Sequence, residues 1–185
     1  MQFVFDERKA TEAAAELLRL NGGRMSYLRL VKLMYLADRK CLVETGLPIT
    51  GDLMYSLRRG PILSEVLDLA ESRTPVDSVW GRVVAPVGPY HLKLLPHSPG
   101  GSLSRYQREV LKAVWNECKD MKTPVLLRHL HDVLPEWDNP GGSRKAILPE
   151  EILRDENWQA SDIEDLASDV AAASSMKRLL ATAPA

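Results

Sequence analysis

The chain has 185 residues, 45% of them hydrophobic, with 24 Lys and Arg against 25 Asp and Glu and a net charge of −1. That near-neutral balance excludes a chain built as a polycation for nucleic acid or for an anionic membrane surface. The length predicts one domain with appendages, able to bury roughly 70% of its unfolded surface without a disulfide or metal staple.

The charge is uneven along the chain. Residues 1–60 carry ten Lys and Arg against seven Asp and Glu, and residues 148–185 carry three against eight. A mildly basic front and an acidic tail permit charge-guided docking. Cys41 and Cys118 lie far apart in apolar helical contexts and read as two buried thiols in preference to a disulfide. Phe3-Val4-Phe5 is followed at once by Asp6, Glu7, Arg8 and Lys9, which is no signal peptide, and no apolar run approaches the ~20 residues a membrane span needs. A cytoplasmic location is expected.

In chain order, Asp6 can cap a first helix whose apolar face is Ala10, Ala13, Ala14, Leu17 and Leu18. Asn21-Gly22-Gly23 stops it, because glycine adopts the left-handed cap conformation freely. Ser26 can cap a second helix running to Thr45-Gly46. It is apolar except for a stripe of Arg29, Lys32, Arg39 and Lys40, the mark of a central, buried helix. A turn at Leu47–Asp52 leads to a short strand-like run, Leu53–Leu57. A third helix is predicted from Pro61, where an N1 proline is tolerated, to a stop at Thr74-Pro75. Val79–Leu95 reads as a β-hairpin about Gly88-Pro89, joined by Leu53–Leu57 as a third strand. Pro96–Gly101 reads as a flexible connector. Ser104 and Gln107 fit a capping box, and Thr123-Pro124 pairs an N-cap with an N1 proline for a helix ending near Leu134. Pro135–Gly142 is expected to be an ordered loop pinned by Trp137. Helices at 149–154 and 161–180 complete a fold predicted as α+β, mostly α: a compact helical domain of about six to seven helices with a small hairpin or three-stranded sheet. The expected organisation is a single domain over 1–160 with an alanine-rich helix over 161–185 packed on it.

The chemistry-bearing residues are few. His129 and His131 are two apart on a helix, so they point roughly 200° apart and cannot share one ion. His97 falls in the connector, His91 in the hairpin, and neither HExxH nor Cys-x-x-Cys occurs. No metal or cofactor is expected. Nothing resembles a Ser-His-Asp set, a nucleotide loop or paired catalytic carboxylates, so no enzyme is expected. Asp38 is either an exposed, helix-paired carboxylate or a partly buried acid fixing nearby backbone or an arginine. Arg58 and Arg59 precede the predicted helix start and oppose its dipole, which points to a negatively charged partner or to a solvated corner.

Lys32-Leu33-x-Tyr35-x-Ala37-Asp38, Thr50-Gly51-Asp52, Gly60-Pro61 and the His131-to-Trp137 segment occur in an order that resembles the Panacea-domain, SocA-like antitoxins, a family often found among phage-associated proteins. The resemblance spans roughly Ala13 to Ile163. One departure is Arg59, where the family carries an aromatic residue before Gly-Pro. The resemblance favours the buried reading of Asp38. It implies a protein that binds and neutralises a cognate protein toxin, by direct inhibition or by delivering the toxin to a protease. On that reading the contacts come from Arg58 and Arg59, the hairpin Val79–Leu95 and the Trp137 loop. Tyr35, Asp38, Asp52 and Tyr55 would hold the local fold, Pro61 is a signature residue of the Gly60-Pro61 motif, and His131 would hydrogen-bond the loop while Trp137 packs into the core. A winged-helix-like DNA-binding regulator is the alternative. It requires the Ser26–Thr45 helix to enter a groove, and its apolar surface suits a core better.

Overall fold

The computed structural model describes residues 1–71, 78–96 and 100–182. The expected stop at Thr74-Pro75 and the connector residue His97 lie outside them. Helix α1 (Glu7–Leu20) starts where Asp6 accepts the Lys9 N–H at 3.1 Å and ends at Asn21. Strand β1 (Arg24–Ser26) follows, and Ser26 Oγ caps helix α2 (Tyr27–Thr45), which Gly46 closes in the left-handed conformation. Next come β2 (Met54–Leu57), β3 (Gly60–Leu63) and α3 (Ser64–Ala70). The hairpin strands are β4 (Val84–Val87) and β5 (His91–Leu94). Helix α4 (Arg105–Cys118) begins with the expected Ser104/Gln107 capping box, and α5 (Thr123–Val133) carries Pro124 in its first turn. Strand β6 (Lys145–Ile147), α6 (Pro149–Asp155) and α7 (Ala160–Thr182) complete the described chain.

The architecture is α+β and mostly α, with the β part divided into two antiparallel sheets of three strands, ordered β1-β5-β4 and β3-β2-β6. This corrects the expected single sheet. The hairpin takes β1 as its third strand, with Met25 opposite Leu92, while β2 pairs with β3 and β6. Pro61 is also corrected. It does not start a helix but lies in β3 opposite Ser56, and α3 begins at Ser64. The reason is the tight turn at Arg58-Arg59, closed by Gly60 at φ +93, which folds the chain back on β2. Pro61 then sits on an edge strand, where its missing N–H does no harm. The helix starts only where the Asp52 carboxylate can receive the N–H groups of Glu65 (3.0 Å) and Val66 (2.9 Å).

Helix α2 is the axis of the molecule and touches α1, α3, α4, α5 and α6. Leu30, Val31, Leu33, Tyr35, Ala37 and Leu42 on it are fully enclosed. Its supposed solvent stripe is half internal, because Lys32 is also fully enclosed and Arg29 nearly so. Arg29 turns inward to cap the C-terminal carbonyls of α4, donating to Cys118 O at 2.6 Å, with its guanidinium 5.7 Å from the Trp115 ring centre. On α1, Glu12 is 3% exposed and accepts the N–H groups of Gly101, Ser102 and Leu103, which anchors the approach to α4. Cys41 and Cys118 are both buried and free. At the C-terminal end, Ile163 and Val170 of α7 are buried, and Leu166 packs over Gly46.

The Thr50-Gly51-Asp52 turn has a close neighbour. The Asp6 N–H donates to Thr50 O at 2.8 Å, so the N-terminal segment is strapped across the turn. Gly51 has φ +69, and a Cβ added there would sit 2.6 Å from Val4 O. Gly51→Ala should therefore cost on the order of 2 kcal/mol or more, through backbone strain and a clash with main chain. Gly22→Ala, at φ +76 but with nothing within 4 Å, is the matched control and should pay only the left-handed strain, about 1–2 kcal/mol. Urea denaturation of both variants checks the difference, and equal losses would contradict the strap.

Candidate functional site

Helical geometry sets the arrangement. At about 100° per residue, Lys32, Tyr35 and Arg39 share a stripe roughly 60° wide on α2, and Asp38 points about 120° from Lys32. None of these side chains except Arg39 reaches water to any extent, so each must find its partner inside the protein.

Lys32 Nζ donates to Pro61 O at 2.6 Å, and burial depresses its pKa to about 7. The β2–β3 turn rests directly on this group: a Cβ at Gly60 would lie 3.4 Å from Lys32 Nζ and 3.3 Å from His131 Nε2. His131, on α5, stacks face to face on Trp137, with ring centroids 3.7 Å apart and planes 2° from parallel. Its buried Nε2 finds no hydrogen-bond partner among the described residues, and burial, then the Lys32 charge, lower its pKa. The expected hydrogen bond from His131 to the loop is thus replaced by stacking. Trp137, half-buried, makes the bond instead, its Nε1 donating to Leu57 O at 3.1 Å.

One turn along the stripe, Tyr35 Oη donates to Glu136 Oε1 at 2.7 Å. Arg39 grips the same carboxylate through Nε (2.7 Å) and Nη2 (3.1 Å), and reaches Glu156 at 2.8 Å. The Glu136 side chain is 0% exposed, so its charge is neutralised by a two-pronged guanidinium contact. Lys32, Tyr35, Pro61, His131 and Trp137 are therefore brought together in one cluster.

Asp38 belongs to a second cluster. It is 1% exposed, and Thr50 donates to it through both its backbone N–H, at 3.2 Å, and its hydroxyl. Burial pushes its carboxyl up to about 7 despite these donors. Asp52, 6% exposed, accepts the N–H groups of Leu53, Glu65 and Val66, and burial pushes it up to about 6. Asp38 is thus the buried acid of the two sequence readings, and it fixes backbone instead of an arginine.

Tyr55 lies apart from both clusters, under the Arg144 guanidinium, which is 4.8 Å from its ring centre. Arg58 and Arg59 are exposed at the tip of the β2–β3 turn. Sequence reasoning missed Glu136, Arg39, Glu12 and the pairing of β6 beside β2. Glu136 had one available signal: it stands between Pro135 and Trp137 in a loop that must be pinned. Among the described residues, no three His, Cys, Asp or Glu side chains are gathered as a metal site, and no helix is long and apolar enough to cross a membrane.

Asp38→Ala orphans two buried Thr50 donors, each costing about 1–3 kcal/mol, so a clear drop in the denaturation midpoint is expected; an unchanged midpoint would contradict the buried arrangement. The titrations give a second expectation. Asp38 and Asp52 have folded pKa values raised above 3.8, so their contributions are complete below that pH and are lost as pH rises through about 6 to 7. Lys32 is depressed from 10.5, so its contribution is complete above that pH and is lost as pH falls through about 7. Together the three groups make the fold least stable near neutrality. Measured against the parent, Asp38→Asn should flatten the acid-side slope between pH 4 and 7, and Lys32→Met the alkaline-side slope between pH 7 and 10. Parallel profiles for parent and variants would show that these groups do not titrate as their burial requires.

Residues 30–138 match the family model described as antitoxin SocA-like, Panacea domain. No curated protein and no solved structure gives a significant match. The matched span is narrower than the Ala13–Ile163 resemblance, but it holds α2 from Leu30 onward, the Thr50–Asp52 turn, the β2–β3 turn and the His131–Trp137 stack, and it covers more than half of the chain. The chain belongs to the SocA-like Panacea-domain antitoxin family.

Proposed function

We propose that this protein neutralises a cognate protein toxin by forming a direct complex with it, through surface complementarity and without bond chemistry. The observation that carries the reading is the family match over 30–138, a span in which the exposed turns and the Trp137 loop are all tied to one buried helix. Rigid turns on a buried support suit recognition, because little ordering remains to be done on binding. A stable complex would bury on the order of 1,600 Å² in total. The contacts are expected from the Arg58-Arg59 turn, the β4–β5 hairpin and the Trp137 loop.

The DNA-binding alternative draws no support from α2. The helix it would need as a reading head is enclosed on nearly every side, and its cations Arg29 and Lys32 are turned to internal carbonyls. Delivery of the toxin to a protease is a refinement of the same complex, and it predicts toxin loss that depends on the protease.

The test is co-expression with the protein encoded next to it. The neighbour alone should arrest growth, and this chain should restore it, with both proteins co-purifying. A harmless neighbour, or arrest that this chain does not relieve, would remove the reading. Falling toxin levels during rescue, restored in a protease-deficient host, would favour delivery over direct inhibition.

A further inference from the structure

The β3-β2-β6 sheet gathers positive charge at one end. Arg58 and Arg59 form the β2–β3 turn and are both exposed, and their side chains meet no hydrogen-bond or ion-pair partner among the described residues. The register Ser56↔Lys145 brings the start of β6 alongside, so Arg144 and Lys145 flank the same turn, although they are some 85 residues away in sequence. Lys145 is met by Asp138 at 3.0 Å, and Arg144 is held over Tyr55. The guanidinium groups of Arg58, Arg59 and Arg144 meet no acid among the described residues.

This corner is also tied down on several sides. The turn is fixed from below by Lys32 on Pro61 O (2.6 Å), from the side by Trp137 on Leu57 O (3.1 Å), and by the ladder to β6. Unpaired arginines on a fixed turn are costly neighbours for one another, and their planar donor forks match carboxylates two bonds at a time. We propose that the Arg58-Arg59 turn, with Arg144 and Lys145 beside it, is the face that docks the partner, and that it reads a carboxylate-rich surface on a protein. This deepens the toxin-binding reading above and rests on it.

A protein is favoured over a nucleic acid by the extent of the patch. Tight binding to a duplex draws on roughly 6–10 phosphate contacts, more than this corner supplies. The exposed acids Asp155, Glu164, Asp165 and Asp169 elsewhere on the surface would repel a long polyanion but not a local acidic patch.

The test uses the full chain, a fluorescent oligo-glutamate peptide and a short DNA duplex, with binding read by anisotropy at low and at physiological salt. The parent should bind the peptide in preference to the duplex. Arg58→Glu/Arg59→Glu should weaken peptide binding by about tenfold or more. Arg144→Gln, a single change that removes no backbone contact, should weaken it in the same direction and keeps the test open if the double variant unfolds. Arg24→Glu/Lys93→Glu makes the same change in net charge on the other sheet, where these residues are exposed cross-strand neighbours, and should leave binding within about twofold. No peptide binding, equal losses in both double variants, or tighter and Arg58/Arg59-dependent duplex binding would each overturn the proposal. Growth rescue that survives Arg58→Glu/Arg59→Glu would sink this face alone and leave the antitoxin reading intact. A harmless neighbour with specific peptide binding would do the reverse.

Discussion

Polar side chains on the buried face of one central helix constrain everything else in this fold. Lys32 and Asp38 sit on α2 in the centre of the protein, with Tyr35 between them. Leaving any of them unpaired would cost several kcal/mol, comparable to a large fraction of a small domain's net stability. Each is therefore met by a segment distant in sequence. Lys32 takes a carbonyl of β3, Tyr35 takes the loop after α5, and Asp38 takes the turn before β2. The loops are where they are because the helix requires partners at those angles.

The same constraint explains which parts of the fold were legible in the sequence. Caps at Asp6, Ser26 and Ser104 are local hydrogen bonds between residues three apart, so the sequence displays both partners side by side. The central position of α2 was legible from its narrow polar stripe. What the stripe concealed was its direction. Lys32 and Arg29 look solvated in a helical projection, but a buried lysine is permitted whenever a carbonyl lies within reach, and that carbonyl is supplied by a residue 29 positions away. Pro61 was misread for a similar reason. An N1 proline and an edge-strand proline are equally compatible with Gly-Pro, and the choice was made by Asp52, whose carboxylate waits at Glu65 and Val66.

The candidate site was legible as a set of residues and not as a geometry. Tyr35, Pro61, His131 and Trp137 fall into one cluster, but the group that ties Tyr35 to the Trp137 loop is Glu136, whose one signal in the sequence was its place between Pro135 and Trp137. The cationic corner divides in the same way. Arg58-Arg59 is visible as a pair. Arg144 and Lys145 join it only through the register of β6 on β2, a long-range pairing of three residues that carries no periodic signal of its own.

These observations separate two roles that a list of motif residues would merge. Asp38, Thr50, Asp52 and Lys32 are buried, and substituting them changes stability first. Arg58, Arg59 and Arg144 carry no comparable burden in the folded chain, and Arg58 and Arg59 lie on the surface. Exposed charges of this kind contribute little to folding, and their effect falls mainly on encounter with a partner. A scaffold whose motif residues are consumed by its own interior can hold its turns at a fixed geometry while the turn tips vary. On the proposed reading, specificity for the partner resides in residues such as Arg58 and Arg59, outside the buried framework.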